Sequence, residues 1–302
     1  MRHEEGPNKR ILLATDFSRP ATCAYAYALR LSSVLKARLT LLHVFKAPPG
    51  FEASTCRSQA PLRTKALLEL GRMVRIAEDS GVTVTHKLMM GAPETAIVEV
   101  ADDIQAGLIA MGTYGRTGWD RLQLGSTAES VLRSAPCPVL TVHASIATDV
   151  PLRARRIRLA RMLVAMDFST GAEAALRYAA MLAHRLEARM SLVHAVLSSG
   201  SPKPLIGPLP KSLRNKVVRQ VQAMGVSSGA DPIVLDGISA PGDPLEVILQ
   251  QAQSAKADLI VMGTHGRRHL ERLALGSVAE SVVRRAGCPV IVVPAGAVAP
   301  SQ

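Results

Sequence analysis

The chain is patterned as short apolar runs separated by longer stretches in which apolar residues recur every three to four positions. Two of the runs, 10–14 and 162–165, are each followed by one residue and then an Asp. Ser18 and Ser169, two residues after that Asp, suit the start of a helix. The other predicted strands are 39–45, 82–88, 108–111 and 139–142 in the first half and 190–197, 259–262 and 290–293 in the second. Because strands that alternate with helices form parallel sheets with right-handed crossovers, this pattern predicts an α/β fold.

The whole pattern occurs twice, at a constant offset of 151 residues. Between 111–142 and 262–293, 20 of 32 positions are identical without a gap. Repetition on this scale indicates two copies of one domain. We therefore predict two tandem doubly wound, Rossmann-like domains, each with a five-stranded parallel sheet. The expected division is a first domain at 1–146, a basic linker at 147–160 and a second domain at 161–302.

Composition narrows the class of protein. The chain is 48% hydrophobic but only 3% aromatic, which predicts aliphatic layers of helix on sheet. No apolar run is long enough to cross a bilayer and the first residues lack a signal sequence, so we expect a soluble, cytoplasmic protein without a membrane partner. The four cysteines form no C-x-x-C pair and no cluster with His, which predicts reduced, buried thiols rather than a metal site.

Charge is the one bulk property that points to a partner, since the formal net charge is +12. Residues 1–150 contain 17 Lys and Arg against 14 Asp and Glu, and residues 151–302 contain 19 against 10. Five of the cations are arginines in the stretch 153–161. Because neither stacking aromatics nor a recognition helix accompanies this basic stretch, it argues against a nucleic-acid partner.

A glycine pattern follows the fourth strand in both copies. Its spacing is Gly-x2-Gly-x9-Gly-Ser, at Gly112, Gly115, Gly125 and Ser126 and again at Gly263, Gly266, Gly276 and Ser277. Glycines at a strand end let the backbone approach a ligand, and the following helix N-terminus favours phosphate oxygens. A second interpretation stays open for the serine, because Ser-x-x-Glu is also a capping box that needs no ligand.

With an Asp after the first strand and Cys-Pro-Val before the last, this pattern resembles the universal stress protein family over nearly the whole chain. The resemblance implies ATP binding, with Mg2+, by the glycine pattern. It also implies that Asp16 and Asp167 lie at the adenine end, with Val44 or Ala195 beside the base. Taken alone, Asp16 is more typical of a helix cap, and His43 and His194 of structural residues at a strand end.

The sequence argues against a fast enzyme, because no Walker lysine motif and no kinase-like catalytic segment is present. The predicted function is a nucleotide-binding stress-response regulator. Two alternatives stay open, a nucleotide-free scaffold that works through protein partners and a slow ATPase. The first copy keeps closer to the family pattern, at Val44 and at 117–118, so we expect it to bind ATP at least as well as the second.

The two copies are expected to pack as a pseudo-twofold dimer through their fifth strands, 139–142 and 290–293. An unpaired apolar edge strand recruits other chains, and pairing removes that edge. The resemblance implies the same exchange between single-copy members, so each half alone should dimerise, whereas the whole chain can be a monomer. The Pro-, Gly- and Ser-rich stretches 46–61 and 197–212 differ most between the copies and are predicted to set partner specificity.

Overall fold

A computed structural model describes residues 9–45, 60–113, 124–143, 146, 157–196, 207–223, 235–264 and 275–296. Most of the two variable stretches and most of the basic linker lie outside these residues. The predicted domain boundaries therefore stay predictions. Gly115 and Gly266 also lie outside the described residues.

Within the described residues, the first repeat contains five strands and four helices. Their bounds are β1 Arg10–Ala14, α1 Arg19–Leu35, β2 Arg38–Phe45, α2 Ala60–Asp79, β3 Val84–Met90, α3 Pro93–Asp103, β4 Leu108–Gly112, α4 Ser126–Ser134 and β5 Val139–Val142. The described part of the second repeat contains six strands and four helices. Their bounds are β6 Arg161–Ala165, α5 Thr170–Leu186, β7 Arg189–Val196, β8 Gly207–Pro208, α6 Lys211–Ala223, β9 Leu235–Pro241, α7 Pro244–Ser254, β10 Leu259–Gly263, α8 Ser277–Arg285 and β11 Val290–Val293. The predicted α/β fold is confirmed, and most predicted strands agree within two residues at each end.

All the strands belong to one sheet, in the order β3-β2-β1-β4-β5-β11-β10-β6-β7-β9-β8. Pairing within each repeat is parallel, except that the two-residue strand β8 runs antiparallel to β9. The order around β1 is the doubly wound one, in which β1 lies between β2 and β4. In each repeat the sheet therefore has a switch point between its first and fourth strands.

The two repeats meet through β5 and β11, which pair antiparallel. The register places Val139 opposite Val292, Leu140 opposite Ile291 and Thr141 opposite Val290. Exchanging each residue for its equivalent at the repeat offset reproduces this set of pairs. The expected fifth-strand pairing is thus present, while the packing of the two repeats as a pseudo-twofold dimer in solution stays a prediction.

Aliphatic side chains fill both faces of the sheet. One buried layer joins the strands to α1, α2, α5 and α6, and the other joins them to α3, α4, α7 and α8. Each layer includes residues of both repeats, for example Leu140 and Ile291 on one face and Val139 and Val290 on the other. The layers leave the carboxyl ends of the strands as the edge at which loops and helix N-termini converge.

Candidate functional site

A cavity of about 800 Å³ opens at the carboxyl edge of the first repeat's sheet. It lies at the switch point, where α1 leaves β1 toward one face and α4 follows β4 on the other. Open α/β sheets bind ligands in this crevice. The residues that line it come from the ends of β1, β2 and β4 and from α1 to α4, and they include Ala14, Thr15, Asp16, Phe17, His43, Val44, Lys65, Glu69, Ile97, Gly112, Thr113, Gly125 and Ser126.

The turn after β1 forms one wall of this cavity. Asp16 Oδ1 accepts a hydrogen bond of 3.0 Å from Ser18 N, and Thr15 Oγ1 accepts one of 3.0 Å from Phe17 N. These bonds hold Phe17 at φ 62°, a left-handed conformation that is costly for a bulky residue and therefore needs such local support. Asp16 therefore shapes the turn, while the helix cap itself is Ser18, whose side chain accepts from Ala21 N.

The second repeat builds the same turn with one change. Asp167 Oδ1 accepts from Ser169 N at 3.0 Å, and Phe168 has φ 61°. Met166, which is buried, stands where the first repeat has Thr15, so the hydroxyl that supports Phe17 has no counterpart. The carboxylate is thus kept in both repeats, but its surroundings are more apolar in the second.

The strand-end histidines are structural, as the sequence indicates. His43 Nδ1 lies 2.7 Å from Thr15 O, and His194 Nδ1 lies 2.7 Å from Met166 O. Because a carbonyl oxygen only accepts, each Nδ1 carries the proton. The His43 ring also packs on Phe17, with 4.5 Å between ring centroids. These contacts fix the end of β2, and with it Val44, against the turn after β1.

The first glycine of the pattern is required by the fold, while its assignment as a phosphate contact stays a prediction. A Cβ on Gly112 would lie 2.7 Å from Pro20 Cβ and 2.8 Å from Ala21 N. A Cβ on Gly263 would lie 2.6 Å from the Gly171 carbonyl carbon. Each glycine is therefore required by the close approach of the first helix of its repeat to the fourth strand, whether or not a ligand binds.

The capping-box interpretation of Ser126 and Ser277 is wrong. Gly125 and Gly276 are the N-cap residues, with no side-chain cap bond, and each serine is the first residue of its helix. The backbone at the start of each helix is held against the end of the preceding strand. Gly125 N donates to Thr113 O at 2.9 Å, and Gly276 N donates to Thr264 O at 2.8 Å. The exposed serines and the uncapped helix N-termini are thus left facing the carboxyl edge of the sheet.

The structure adds cavity residues that the sequence analysis missed. Lys65 and Glu69 reach the cavity from α2, and Ile97 reaches it from α3. α2 follows a stretch that differs between the copies, so no motif marked its residues. The one available signal was that Lys65 and Lys216 are equivalent at the repeat offset.

Val44 lines the cavity, and Ala195 is its half-buried equivalent in the second repeat, while their place beside a base stays a prediction. Within the described residues, no three His, Cys, Asp or Glu side chains are grouped so that they could hold a metal ion. Across the same residues, no helix is both long and apolar enough to span a membrane. Cys23 and Cys137 are buried free thiols and Cys288 is half-buried, while Cys56 lies outside the described residues.

The fold and the cavity together define a tandem α/β protein with a crevice at the switch point of its sheet. The universal stress protein family profile matches residues 7–143 and 159–294, so the chain belongs to the universal stress protein family. A universal stress protein of Mycolicibacterium smegmatis is 26% identical over 293 residues, which cover 94% of this chain and 96% of that one. One from Methanocaldococcus jannaschii is 33% identical over 147 residues, 47% of this chain and 86% of that protein.

The fold has a solved counterpart of the same length. The crystal structure of a universal stress protein from Archaeoglobus fulgidus superposes with a TM-score of 0.74, at 24% identity, and covers 96% of this chain and 99% of that one. At this identity the likeness bears on the fold. It supports the tandem two-domain architecture.

Proposed function

We propose that the first repeat binds ATP in the switch-point cavity and that the protein acts as a nucleotide-dependent stress-response regulator rather than a fast enzyme. The observation that carries this proposal is the pairing of a carboxylate wall, at Asp16, with an uncapped helix N-terminus, at Gly125 and Ser126, across one cavity. The cavity volume of about 800 Å³ falls in the range of about 300–1,000 Å³ typical of small-molecule sites.

The phosphates belong at the α4 end. Gly125 offers no side chain to cap the helix, so its first N–H groups and the Ser126 hydroxyl are available to anionic oxygens. The base belongs at the other end, where Val44 gives an apolar contact and the Asp16 carboxylate accepts from an exocyclic amine. Any Mg2+ would be held mainly by phosphate oxygens, as is usual for this ion.

Slow turnover is part of the proposal. The sequence contains no Walker lysine motif to activate a phosphate, and His43 Nδ1 is engaged with a backbone carbonyl. We expect hydrolysis well below the rate of about 1–100 per second of dedicated kinases. A metal-dependent rate inside that range, retained through repeated purification, would place the protein among the enzymes instead.

Calorimetric titration with ATP tests the site. Ser126→Glu places a carboxylate at the first turn of α4, where it favours the helix but repels phosphate. We expect this variant to keep its unfolding temperature and to lose the first-repeat binding event. Ser277→Glu is the matched control, because it makes the same change at α8.

Two outcomes contradict the proposal. If the unmodified chain binds neither ATP nor AMP, the scaffold alternative is correct and the work is done by protein partners. If Ser126→Glu binds ATP as well as the unmodified chain does, phosphate does not approach α4.

A further inference from the structure

The helices α2 and α6 carry equivalent lysines whose surroundings differ. Lys65 lines the first-repeat cavity and is exposed. Lys216, its counterpart at the repeat offset, has its Nζ 2.8 Å from Glu173 Oε1 and 5.8 Å from the ring centroid of Phe168. Phe168 directly follows Asp167, so Lys216 is held against the turn that corresponds to the carboxylate wall of the first repeat.

The difference originates in one residue of the helix that follows the first strand. Glu173 lies in the first turn of α5, and its equivalent in α1 is Thr22. The Thr22 hydroxyl donates to Ser18 O at 2.9 Å, within its own helix. Glu69, one turn beyond Lys65, pairs with Arg72 at 2.8 Å. Among the residues that the structure describes, no ion pair involves Lys65.

These contacts give the two sites different electrostatics. Lys65 places a positive charge at the first-repeat cavity, whereas the Glu173 carboxylate offsets the charge of Lys216 in the second repeat. Glu173 keeps only 23% of its side chain exposed, so water screens this pair less than a fully exposed one. The attraction of the lysine for an anionic ligand is therefore offset by Glu173 in the second repeat but by no ion-pair partner of Lys65 among the described residues of the first.

We propose that Lys65 attracts the anionic groups of a nucleotide bound in the first repeat, and that Glu173 neutralises the charge of the equivalent Lys216 in the second. This inference rests on the proposed function. The residues at the equivalent positions 22 and 173 would then determine which repeat binds phosphorylated ligands more tightly. The chain then carries one strong and one weak nucleotide site.

Titrations with ATP, ADP, AMP and adenosine test the role of Lys65. They are done in the Ser277→Glu background, which isolates the first repeat. We expect Lys65→Met to weaken ATP binding about tenfold, AMP less, and adenosine not at all, because Coulomb attraction scales with ligand charge. Lys65→Arg should restore most of the affinity. Arg63→Met, which removes a cation from the same helix away from the cavity lining, should change none of the four.

Reciprocal substitutions test the role of Glu173. Glu173→Thr, measured in the Ser126→Glu background, should strengthen ATP binding by the second repeat several-fold. Thr22→Glu should weaken binding by the first to a similar extent. If Lys65→Met reduces ATP and adenosine affinity equally, or if neither exchange alters ATP affinity, the inference is wrong. ATP binding by the unmodified first repeat would leave the proposed function intact in that case.

Discussion

The two outer edges of the sheet, one in each repeat, are protected differently. In the second, the short strand β8 pairs with β9, and Leu209 packs over Gly237 with only 5% of its surface exposed. In the first, no strand of the described residues pairs with the outer edge of β3, which shows Thr85, His86 and Lys87 to solvent. His86 is the equivalent of Gly237. Polar edge residues and a covering strand are two solutions to the same hazard of an unpaired strand.

The interior of each repeat, in contrast, is built alike. Both repeats have the left-handed Phe after the first-strand Asp, the fourth-strand glycine against the first helix and the uncapped glycine before the last helix. The residues that differ between the repeats lie at the outer edge of the sheet and around the opening of the cavity. The two repeats thus share the turn, glycine and helix-start geometry at the carboxyl edge of the sheet, while the outer sheet edge and the residues around the cavity differ.

The largest effect is expected where the repeats agree. Gly112→Ala should lower the free energy of unfolding by about 3 kcal/mol, because the new Cβ would meet backbone and Pro20 atoms that cannot move separately from α1. Gly263→Ala should cost about as much in the second repeat. Urea unfolding measures both.

Gly71→Ala is the control for these two variants. Gly71 lies in α2, and a Cβ there would meet nothing within 4 Å. Removing a helical glycine should raise the free energy of unfolding by about 0.5–1 kcal/mol. Equal stability of Gly112→Ala and Gly71→Ala would refute the close-approach argument for the fourth-strand glycine.

The next largest effect on stability is expected at a position where the repeats differ. Gly237→His gives the second repeat the residue of the first, and its Cβ would overlap Leu209 Cδ1. Displacing this buried leucine should cost about 2 kcal/mol. Hydrogen exchange should speed up at Leu209 N, which donates to Gly237 O at 2.9 Å.

His86→Gly is the reverse exchange. It should lower the free energy of unfolding by only about 0.5–1 kcal/mol, the penalty of glycine in a strand, because no described side chain lies where it could fill the space. If Gly237→His left the exchange rate at Leu209 N unchanged, β8 would not depend on this glycine.

Much of this architecture could be predicted from the chain because each repeat supplies local signals. Short buried strands, the Ser18 and Ser169 caps and the fifth strands all follow from apolar patterning and helix-start chemistry. The duplication gave a second copy of most of these signals, although no second strand was predicted to match 82–88 and β9, at Leu235–Pro241, was missed. The strand ends differ from the predicted ones chiefly at β3, which begins at Val84.

Contacts between distant segments could not be predicted. The spacing of Gly112 matched a ligand loop, but its necessity comes from Pro20, which the sequence places 92 positions away. Ser126 and Glu129 fit a capping box, yet the chain enters α4 one residue earlier, at Gly125. The two-residue strand β8 has no periodicity to read. The Lys216–Glu173 pair joins two helices whose sequences show no shared motif.

The equivalent cysteines predict a matched response to alkaline pH. Burial raises the pKa of Cys137 from its ordinary 9.0 to about 12, and burial with Asp258 nearby raises the pKa of Cys288 to about 12. Above pH 9 the unfolded chain releases these protons while the folded chain keeps them, so stability falls as the pH rises. Each buried thiol should contribute about 1 kcal/mol of loss between pH 9 and 10.

Unfolding of Cys137→Ala by urea at pH 8, 9 and 10 measures this contribution. The variant should lose less stability over this interval than the unmodified chain does. Val131→Ala, a buried change in the neighbouring helix α4, should lower the stability by the same amount at every pH. Parallel pH curves for Cys137→Ala and the unmodified chain would show that the thiol stays protonated in both states.

The smallest effect concerns the junction between the repeats. Thr141 is buried in β5, and its hydroxyl donates across the junction to Val290 O at 3.1 Å. Thr141→Val keeps the shape and removes this bond, so it should lower the free energy of unfolding by about 1 kcal/mol.

Val292 is the equivalent residue of β11, and the register sets it opposite Val139. If the junction has twofold symmetry, Val292→Thr places a hydroxyl where it can donate to Val139 O, and the substitution should be neutral within about 0.5 kcal/mol. Urea unfolding of both variants decides the matter, because an unpaired buried hydroxyl at position 292 would instead cost about 1–3 kcal/mol and would exclude a symmetric junction.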